Sequence, residues 1–211
     1  MPLQLNSALI AIAAEFTGQY TPYQSVQISP GEDGGVFVAS TDKGNIACLA
    51  FDPLGTADQA INILPSSDLM KAARGIKTAD REISITNVST ETCSAMAKVT
   101  TIQKSTNKVV EVPIQLSTAD FPPLADAMVE IAGRWGKTPS MSATAGRYDA
   151  TYLQKAVKVL GGAHASITFS SLDGGPLRVQ SADQFILIMI MPQSADPIPP
   201  VPDWLPAFAA C

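Results

Sequence analysis

The chain has 211 residues, of which 46% are hydrophobic and 16% are charged. This composition is typical of a folded globular protein and excludes a disordered chain. The formal net charge of −5 argues against nucleic-acid binding, unless a local basic face overrides the total.

The three cysteines, Cys48, Cys93 and Cys211, are far apart and form no CxxC pair. With a single histidine they offer no cluster of metal ligands, so we expect neither a metal site nor a cofactor. Scattered thiols in odd number favour a reducing compartment.

The first residues lack the basic segment of a secretory signal, and the longest apolar run, Phe185–Met191, is too short to span a membrane. We therefore predict a cytoplasmic protein without a membrane partner.

Along the chain, the first predicted element is a helix over Ser7–Thr17, with Ser7 as its N-cap and Gly18 as its stop. Three strands follow it, separated by turns rich in glycine and aspartate. These strands are predicted at Ser25–Ser29, Gly35–Ser40 and Ile46–Phe51.

The same order of elements then recurs. A strand over Gln59–Leu64 leads into a capped helix over Pro65–Gly75. Three more strands are predicted, the last of which contains Pro113 and so belongs at an edge or near a strand end. They are Glu82–Asn87, Thr92–Thr101 and Lys108–Leu116.

A third and less regular round follows. The apolar spacing in Leu124–Trp135 predicts an amphipathic helix, and a short strand is expected at Ser142–Arg147. A helix over Tyr152–Leu160 ends at two glycines. Three further strands are predicted at Ala165–Ser170, Pro176–Ser181 and Phe185–Pro192. The proline-rich segment 194–211 is expected to be extended or disordered unless it docks.

Four segments, taken in order, resemble the bacterial DNA polymerase sliding clamp (β clamp). Val38–Ala47 resembles the clamp's "TDG…LA" turn and strand, and Ile61–Ala73 resembles the strand, proline and helix that come next. Asp120–Leu124 resembles the "FPDY" segment at a domain end. Tyr152–Pro192 resembles the C-terminal end of the clamp chain, whose final strand also stops at Met-Pro.

The resemblance implies an α+β fold of clamp-like β-α-β units, with antiparallel sheets and helices on one face. Residues 1–120 would form one clamp-like domain of two units, residues 121–193 a shortened second domain, and residues 194–211 a proline-rich tail. A clamp chain has three full domains, whereas this chain has room for about two. Asn45 also stands where the family usually has an arginine.

The function that the resemblance implies is that of a processivity factor without chemistry of its own. Such a protein encircles double-stranded DNA of any sequence and tethers DNA polymerase or repair proteins. A closed clamp has six domains, so about two per chain implies a homo-oligomer of three chains, with a dimer as the next expectation.

Half of the fourteen Lys and Arg residues lie on the predicted helices or at their ends. A ring lining needs such a diffuse positive surface, which holds phosphates without reading bases. The predicted DNA-binding residues are Lys71, Arg74, Lys77, Arg134, Lys137, Lys155 and Lys158. The alternative is that these are ordinary solvated helix faces.

The family also binds partner peptides in an apolar cleft, where methionines adapt to varied side chains. The matching positions here are Thr41, Ile46, Pro65, Met70, Met189, Met191 and Pro192. The tail segment Asp203–Phe208 is either loose or a peptide that docks into such a cleft.

Two other functions stay open. One is an interaction or structural module with a clamp-like fold that never closes around DNA. The more distant one is a small serine hydrolase, because Ser40-Thr-Asp-Lys43 matches the S-x-x-K nucleophile motif. The further motifs of such hydrolases are absent from the sequence.

Overall fold

The structure is a computed structural model that describes residues 3–74, 79–102, 107–124, 127, 146–162, 166–171 and 175–193. Its helices are α1 (Ser7–Ala14), α2 (Ser67–Ala73) and α3 (Ala150–Gly161). Its strands are β1 (Leu3–Asn6), β2 (Val26–Pro30), β3 (Val36–Asp42), β4 (Ile46–Asp52), β5 (Ile61–Leu64), β6 (Asp80–Ser89), β7 (Ser94–Ile102), β8 (Asn107–Leu116), β9 (Ile167–Ser170), β10 (Leu177–Ser181) and β11 (Ile186–Ile190).

The eleven strands in the described part of the chain belong to one sheet, in the order β1-β6-β7-β8-β5-β2-β3-β4-β11-β10-β9. Every pairing in it is antiparallel. The predicted α+β fold with antiparallel sheets is therefore confirmed.

The two repeats exchange their first strands. Strand β1 pairs with β6 of the second repeat, and β5 pairs with β2 of the first. Each repeat consequently completes its share of the sheet with a strand from the other. The repeats β1–α1–β2–β3–β4 and β5–α2–β6–β7–β8 are thus joined by pairing as well as by chain connection.

The main core lies on one face of the sheet, beneath the helices. Alternate residues of each strand point to that face, as with Val38 of β3, which lies opposite Ala50 of β4. Leu9 and Ile10 of α1, Leu69 of α2 and Leu160 of α3 are buried in the same cluster of side chains as these strand residues. The three described helices therefore pack on one face, as predicted. Burying one such aliphatic side chain contributes about 1.5–3 kcal/mol.

Helix α1 begins at Ser7 as predicted, but its N-cap is one residue earlier than expected and the helix ends at Ala14. Its N-cap is Asn6, whose side-chain oxygen accepts a hydrogen bond from the Ala8 amide at 3.0 Å. Ser7, the predicted cap, is buried, and its hydroxyl donates to the Ala73 carbonyl at 2.9 Å. Ser7 therefore ties the start of α1 to the end of α2.

The third region extends the sheet through β11, which pairs with β4 over Ile46–Ala50. The carboxylate of Asp149 caps α3 by accepting from the Thr151 amide at 2.7 Å. The predicted helix Leu124–Trp135, the predicted strand Ser142–Arg147 and the tail 194–211 lie wholly or largely outside the described residues. Among the helices that are described, none is long and apolar enough to cross a membrane.

Candidate nucleic-acid and peptide interfaces

Four of the predicted DNA-binding residues are described, and they lie on α2, directly after it, and on α3. Lys71, Arg74 and Lys158 have exposed side chains on the helix side of the sheet. Lys155 is half-buried, and its ammonium lies 5.8 Å from the centre of the Phe16 ring just beyond α1. Lys77, Arg134 and Lys137 lie outside the described residues.

Two of these cations have acidic neighbours. Lys71 Nζ lies 3.6 Å from a carboxylate oxygen of Asp68, and Arg74 Nη2 lies 3.8 Å from one of Glu15. Ion pairs in such exposed positions are weak and are screened by salt. They lower the positive potential of this face, but a phosphate can compete for both cations.

Helix α1 adds no charge to this face. Its sequence, SALIAIAA, is wholly uncharged, and most of its side chains are buried. It contacts α2 on one side, and Phe16, which follows it, carries Lys155 of α3 on its ring. The described basic residues therefore flank a neutral helix instead of forming one continuous patch.

Several predicted cleft residues meet at one corner of the molecule, formed by residues 41–46 and 189–193. The amide of Met191 donates to the carbonyl of Asn45 at 2.9 Å, so the end of β11 lies against the β3–β4 turn. Strand β5 ends at the same end of the sheet, because Ile63 pairs with Val26 at the start of β2. Pro65, which follows β5, is therefore placed near this corner.

The corner does not present all the predicted residues as one exposed groove. Ile46 and Met189 are only 1% and 3% exposed. They also face opposite sides of the sheet, because Ile46 pairs with Ile190, the neighbour of Met189. Ile46 belongs to the core beneath the helices, whereas Met189 packs against Ala47 and Leu124 on the outer face.

The remaining cleft residues divide into one that is buried and several that are accessible. Thr41 is buried, and its hydroxyl donates to the Ile46 carbonyl at 2.8 Å across the turn. Met191 is 41% exposed, and Pro65, Met70 and Pro192 are partly exposed. The accessible apolar surface near this corner is thus smaller than the sequence suggested. The accessible residues at the corner are Met191 and Pro192, with Pro65 at the same end of the sheet. Met70 lies on α2, which contacts α1, β6, β7 and β8.

Polar contacts that the sequence did not reveal hold the corner together. The hydroxyl of Tyr152, in the first turn of α3, donates to the carboxylate of Asp42 at 2.9 Å. Burial, together with this carboxylate, raises the pKa of the Tyr152 hydroxyl. The amide of Gln193 donates to the Arg147 carbonyl at 2.8 Å, which fixes the end of β11 beside the start of α3.

The S-x-x-K hydrolase interpretation is contradicted by the positions of its two residues. Ser40 is fully buried on the helix side of the sheet, and its hydroxyl donates to the Ala13 carbonyl at 2.6 Å. Lys43 is exposed in the β3–β4 turn, with a left-handed φ of 46°. A side chain at the turn surface cannot activate a hydroxyl that faces the core. Cys48 offers no alternative nucleophile, because burial raises the pKa of its thiol to about 12.

The fold matches solved structures of bacterial sliding clamps. The DNA polymerase III subunit beta of Borrelia burgdorferi aligns with a TM-score of 0.58 and 9% identity, over 93% of this chain and 65% of that one. The sliding clamp of Pseudomonas aeruginosa aligns with a TM-score of 0.55 and 10% identity, over 92% and 66%. That of Caulobacter crescentus aligns with a TM-score of 0.53 and 12% identity, over 92% and 65%.

These matches confirm the predicted resemblance at the level of the fold. The chain spans about 65% of the length of the Borrelia clamp that it matches. No protein-family model matches the chain, and no curated protein matches it in sequence.

Proposed function

We propose that this chain is a shortened, sliding-clamp-like processivity factor, which encircles duplex DNA and tethers a polymerase or another replication or repair protein. The observation that supports this best is the one-sided architecture. One continuous antiparallel sheet carries the three described helices on a single face, and Lys71, Arg74 and Lys158 project from that face into solvent. The protein would act in the cytoplasm, without a cofactor and without catalysing a reaction.

The binding to DNA would be weak and independent of base sequence. The basic side chains are long, exposed and spread over two helices, so they suit phosphates and not the fixed geometry of a base edge. Their neighbours Asp68 and Glu15 reduce the net attraction. The logarithm of the affinity should fall with the logarithm of the salt concentration, by roughly 0.9 for each phosphate contact.

A ring would be assembled from several copies. In this proposal, residues 1–120 form a complete domain of two β-α-β units, and residues 121–193 form a shortened second domain. Three chains would then supply the six domains of a closed clamp, and a dimer is the next candidate. The partner protein would dock at the corner, where Met191 is the most accessible methionine among the described cleft residues.

Retention on circular DNA tests this function. The protein is loaded onto a nicked circular plasmid, freed of unbound protein at moderate salt, and then compared before and after the plasmid is cut once. A ring stays on the circle and slides off the linear product. Equal retention on both forms would contradict encirclement.

A matched pair of variants assigns the DNA-facing surface in the same assay. Lys71→Glu with Lys158→Glu reverses two exposed charges on the helix face and should abolish retention. Lys98→Glu, away from that face, should retain the wild-type behaviour, whereas Lys71→Glu alone makes the same change in net charge and should weaken retention. Lys98 lies on β7 between the core residues Ala97 and Val99, so its side chain faces the outer side of the sheet.

A non-ring interaction module is the second candidate. The acidic net charge of −5 and the uncharged α1 favour it. It predicts peptide binding at the corner without any difference between circular and linear DNA.

A further inference from the structure

The outer face of the sheet, opposite the helices, carries an apolar strip on β3, β4 and β11. On these strands, the residues that alternate with the core residues point to the outer face. The pairing aligns their side chains across the strands in rows. The outer strip consists of Phe37, Leu49, Phe51, Phe185, Leu187 and Met189.

Aromatic rings gather at one end of the outer strip. The ring centroids of Phe37 and Phe51 lie 4.8 Å apart. The Phe51 amide donates to the Phe185 carbonyl at 2.9 Å, which places Phe185 next in the same row. The side chain of Phe185 is 42% exposed, and the other two rings are half-buried. The end of the strip farthest from the corner is therefore an aromatic surface that solvent reaches.

The opposite end of the outer strip, at the corner, is already covered. Met189 is buried and packs with Leu124, which follows β8 in the chain. Leu49 and Leu187 pack against the same cluster, but both keep part of their surface accessible. Within the described part of the chain, the accessible region of the strip therefore runs from these two leucines to the aromatic end.

The second repeat presents a more polar outer face on its described strands. There Ser84 of β6 lies opposite Lys98 of β7, which lies opposite Glu111 of β8. Polar residues also border the outer strip, with Gln27 on β2 and Gln180 on β10. The same fold thus accepts a polar outer face. An apolar surface with a polar border is typical of a site that another segment or protein covers.

The proline-rich segment 194–211 leaves the described structure at the covered end of the strip. Gln193 is held there, because its amide donates to the Arg147 carbonyl at 2.8 Å. From Gln193 back to Phe185 the strand direction spans about 26 Å, at about 3.3 Å per residue. A polyproline II segment rises about 3.1 Å per residue, so about nine residues cover this distance. Trp204 stands eleven residues after Gln193, which leaves enough chain for a reversal of direction.

The sequence of this segment suits an apolar and aromatic surface. Four prolines lie between positions 197 and 202. They favour an extended polyproline II conformation, which has little conformational entropy to lose on docking. Aromatic surfaces are what such segments bind in other proteins. The bulky residues Trp204, Leu205 and Phe208 follow the prolines, in the order in which the aromatic end follows the leucines of the strip.

From these observations we propose that segment 194–208 folds back over the outer strip of its own copy. Its prolines lie on Leu49 and Leu187, and Trp204 lies on the aromatic end beside Phe185. This inference goes beyond the proposed function, because the contact requires neither DNA nor a second copy. Docking of Asp203–Phe208 at the corner is the competing arrangement, since it would place Trp204 at the opposite end of the strip.

Quenching of Trp204 fluorescence by acrylamide tests the contact. Trp135→Phe leaves Trp204 as the single tryptophan of the full-length protein. Its quenching constant should be several-fold lower than that of a free peptide with residues 194–211. Adding Phe185→Ser should raise the constant to the value of the peptide. Adding Val109→Ser instead, at a similarly exposed apolar position on the outer face of β8, should leave it low.

Three results of this experiment would overturn the proposal. The first is a quenching constant in the Trp135→Phe protein that equals that of the peptide. The second is a constant that rises with Met191→Ala but not with Phe185→Ser, because Trp204 would then dock at the corner. The third comes from mixing the Phe185→Ser protein with a protein that lacks residues 195–211. Renewed protection of Trp204 in this mixture would show docking on a second copy.

A dye that binds exposed apolar surface provides a test that leaves the strip unchanged. Deleting residues 195–211 should increase the fluorescence of bound anilinonaphthalene sulfonate several-fold, because the outer strip becomes accessible. Adding Phe185→Ser to the deletion should reduce this gain, while circular dichroism should show the same folded structure in all of these proteins. An unchanged dye signal after the deletion would also overturn the proposal. Retention on circular DNA reports separately on the proposed function.

Discussion

The hydroxyl of Tyr152 donates to the carboxylate of Asp42 at 2.9 Å, across 110 residues of sequence. Tyr152 belongs to α3, and Asp42 ends β3 at the start of the β3–β4 turn. The contact therefore holds the third region to the first repeat by a polar bond, in addition to the β4–β11 pairing. Both contacts fix the corner at which Met191 is exposed.

Replacing Tyr152 with Phe should lower the free energy of unfolding by about 0.5–1.5 kcal/mol, because the ring is kept and one hydrogen bond to a half-buried carboxylate is lost. Urea denaturation followed by circular dichroism measures this difference. Tyr20→Phe, at a highly exposed position, serves as the control and should leave the midpoint unchanged. A Y152F midpoint equal to that of the wild type would show that the bond adds nothing to stability.

The same bond should make stability depend on alkaline pH. The pKa of Tyr152 is raised in the folded protein, first by burial and then by Asp42. A raised pKa means that the stabilising contribution is fully present below the ordinary tyrosine pKa near 10 and is lost as pH rises through the folded value. The difference in unfolding free energy between wild type and Y152F should thus be constant around neutral pH and shrink above about pH 10. A constant difference throughout would contradict this linkage.

Truncation to alanine should change the stability differently at Met189, within β11, and at Met191, just after its end. Met189→Ala removes a buried side chain and should cost about 2–5 kcal/mol of stability, near the lower end because its apolar cluster is small. Met191→Ala changes an exposed side chain and should stay within about 0.5 kcal/mol of the wild type.

If the corner binds partner peptides, M191A should still weaken binding of a labelled clamp-binding peptide, as measured by fluorescence anisotropy. Wild-type affinity in M191A would remove Met191 from the peptide site.

The tail can be tested at the same corner. Segment 194–211 follows the corner directly in the chain, so its local concentration there is high. If Asp203–Phe208 docks at the corner, deleting residues 195–211 should increase the affinity for the labelled peptide. A full-length variant with Trp204→Ala and Phe208→Ala should reproduce the gain without shortening the chain. Equal affinities in all three proteins would exclude competition by the tail.

The order of elements could be predicted because turn residues separate them clearly. Gly and Asp residues mark the turns around β3, and Pro65 marks the passage from β5 to α2. Strand β1 was not predicted, because it has four residues and runs into α1 without a turn. The exchange of β1 and β5 between the repeats was also not predicted, since local patterns do not specify partners that are distant in sequence.

Less of the candidate site could be predicted from the sequence. Ile46 and Met189 are both apolar, yet they face opposite sides of the sheet, and this depends on the register between β4 and β11. Met189 is covered by Leu124, from a segment that follows β8. The Tyr152–Asp42 bond joins two elements that carry no local sign of contact. By contrast, Lys71, Arg74 and Lys158 could be placed on the outer helix surface from helical spacing alone.

The exchange of first strands has a consequence for biosynthesis. Leu3 pairs with Ile85, and Val26 pairs with Ile63. When only the first repeat has emerged from the ribosome, β5 and β6, which pair with two of its strands, have therefore not yet been synthesised. Pairings over such separations form slowly, because a long loop must close before any contact repays its entropy. Neither repeat should survive alone as a stable fragment, and folding should begin only after β6 has been synthesised.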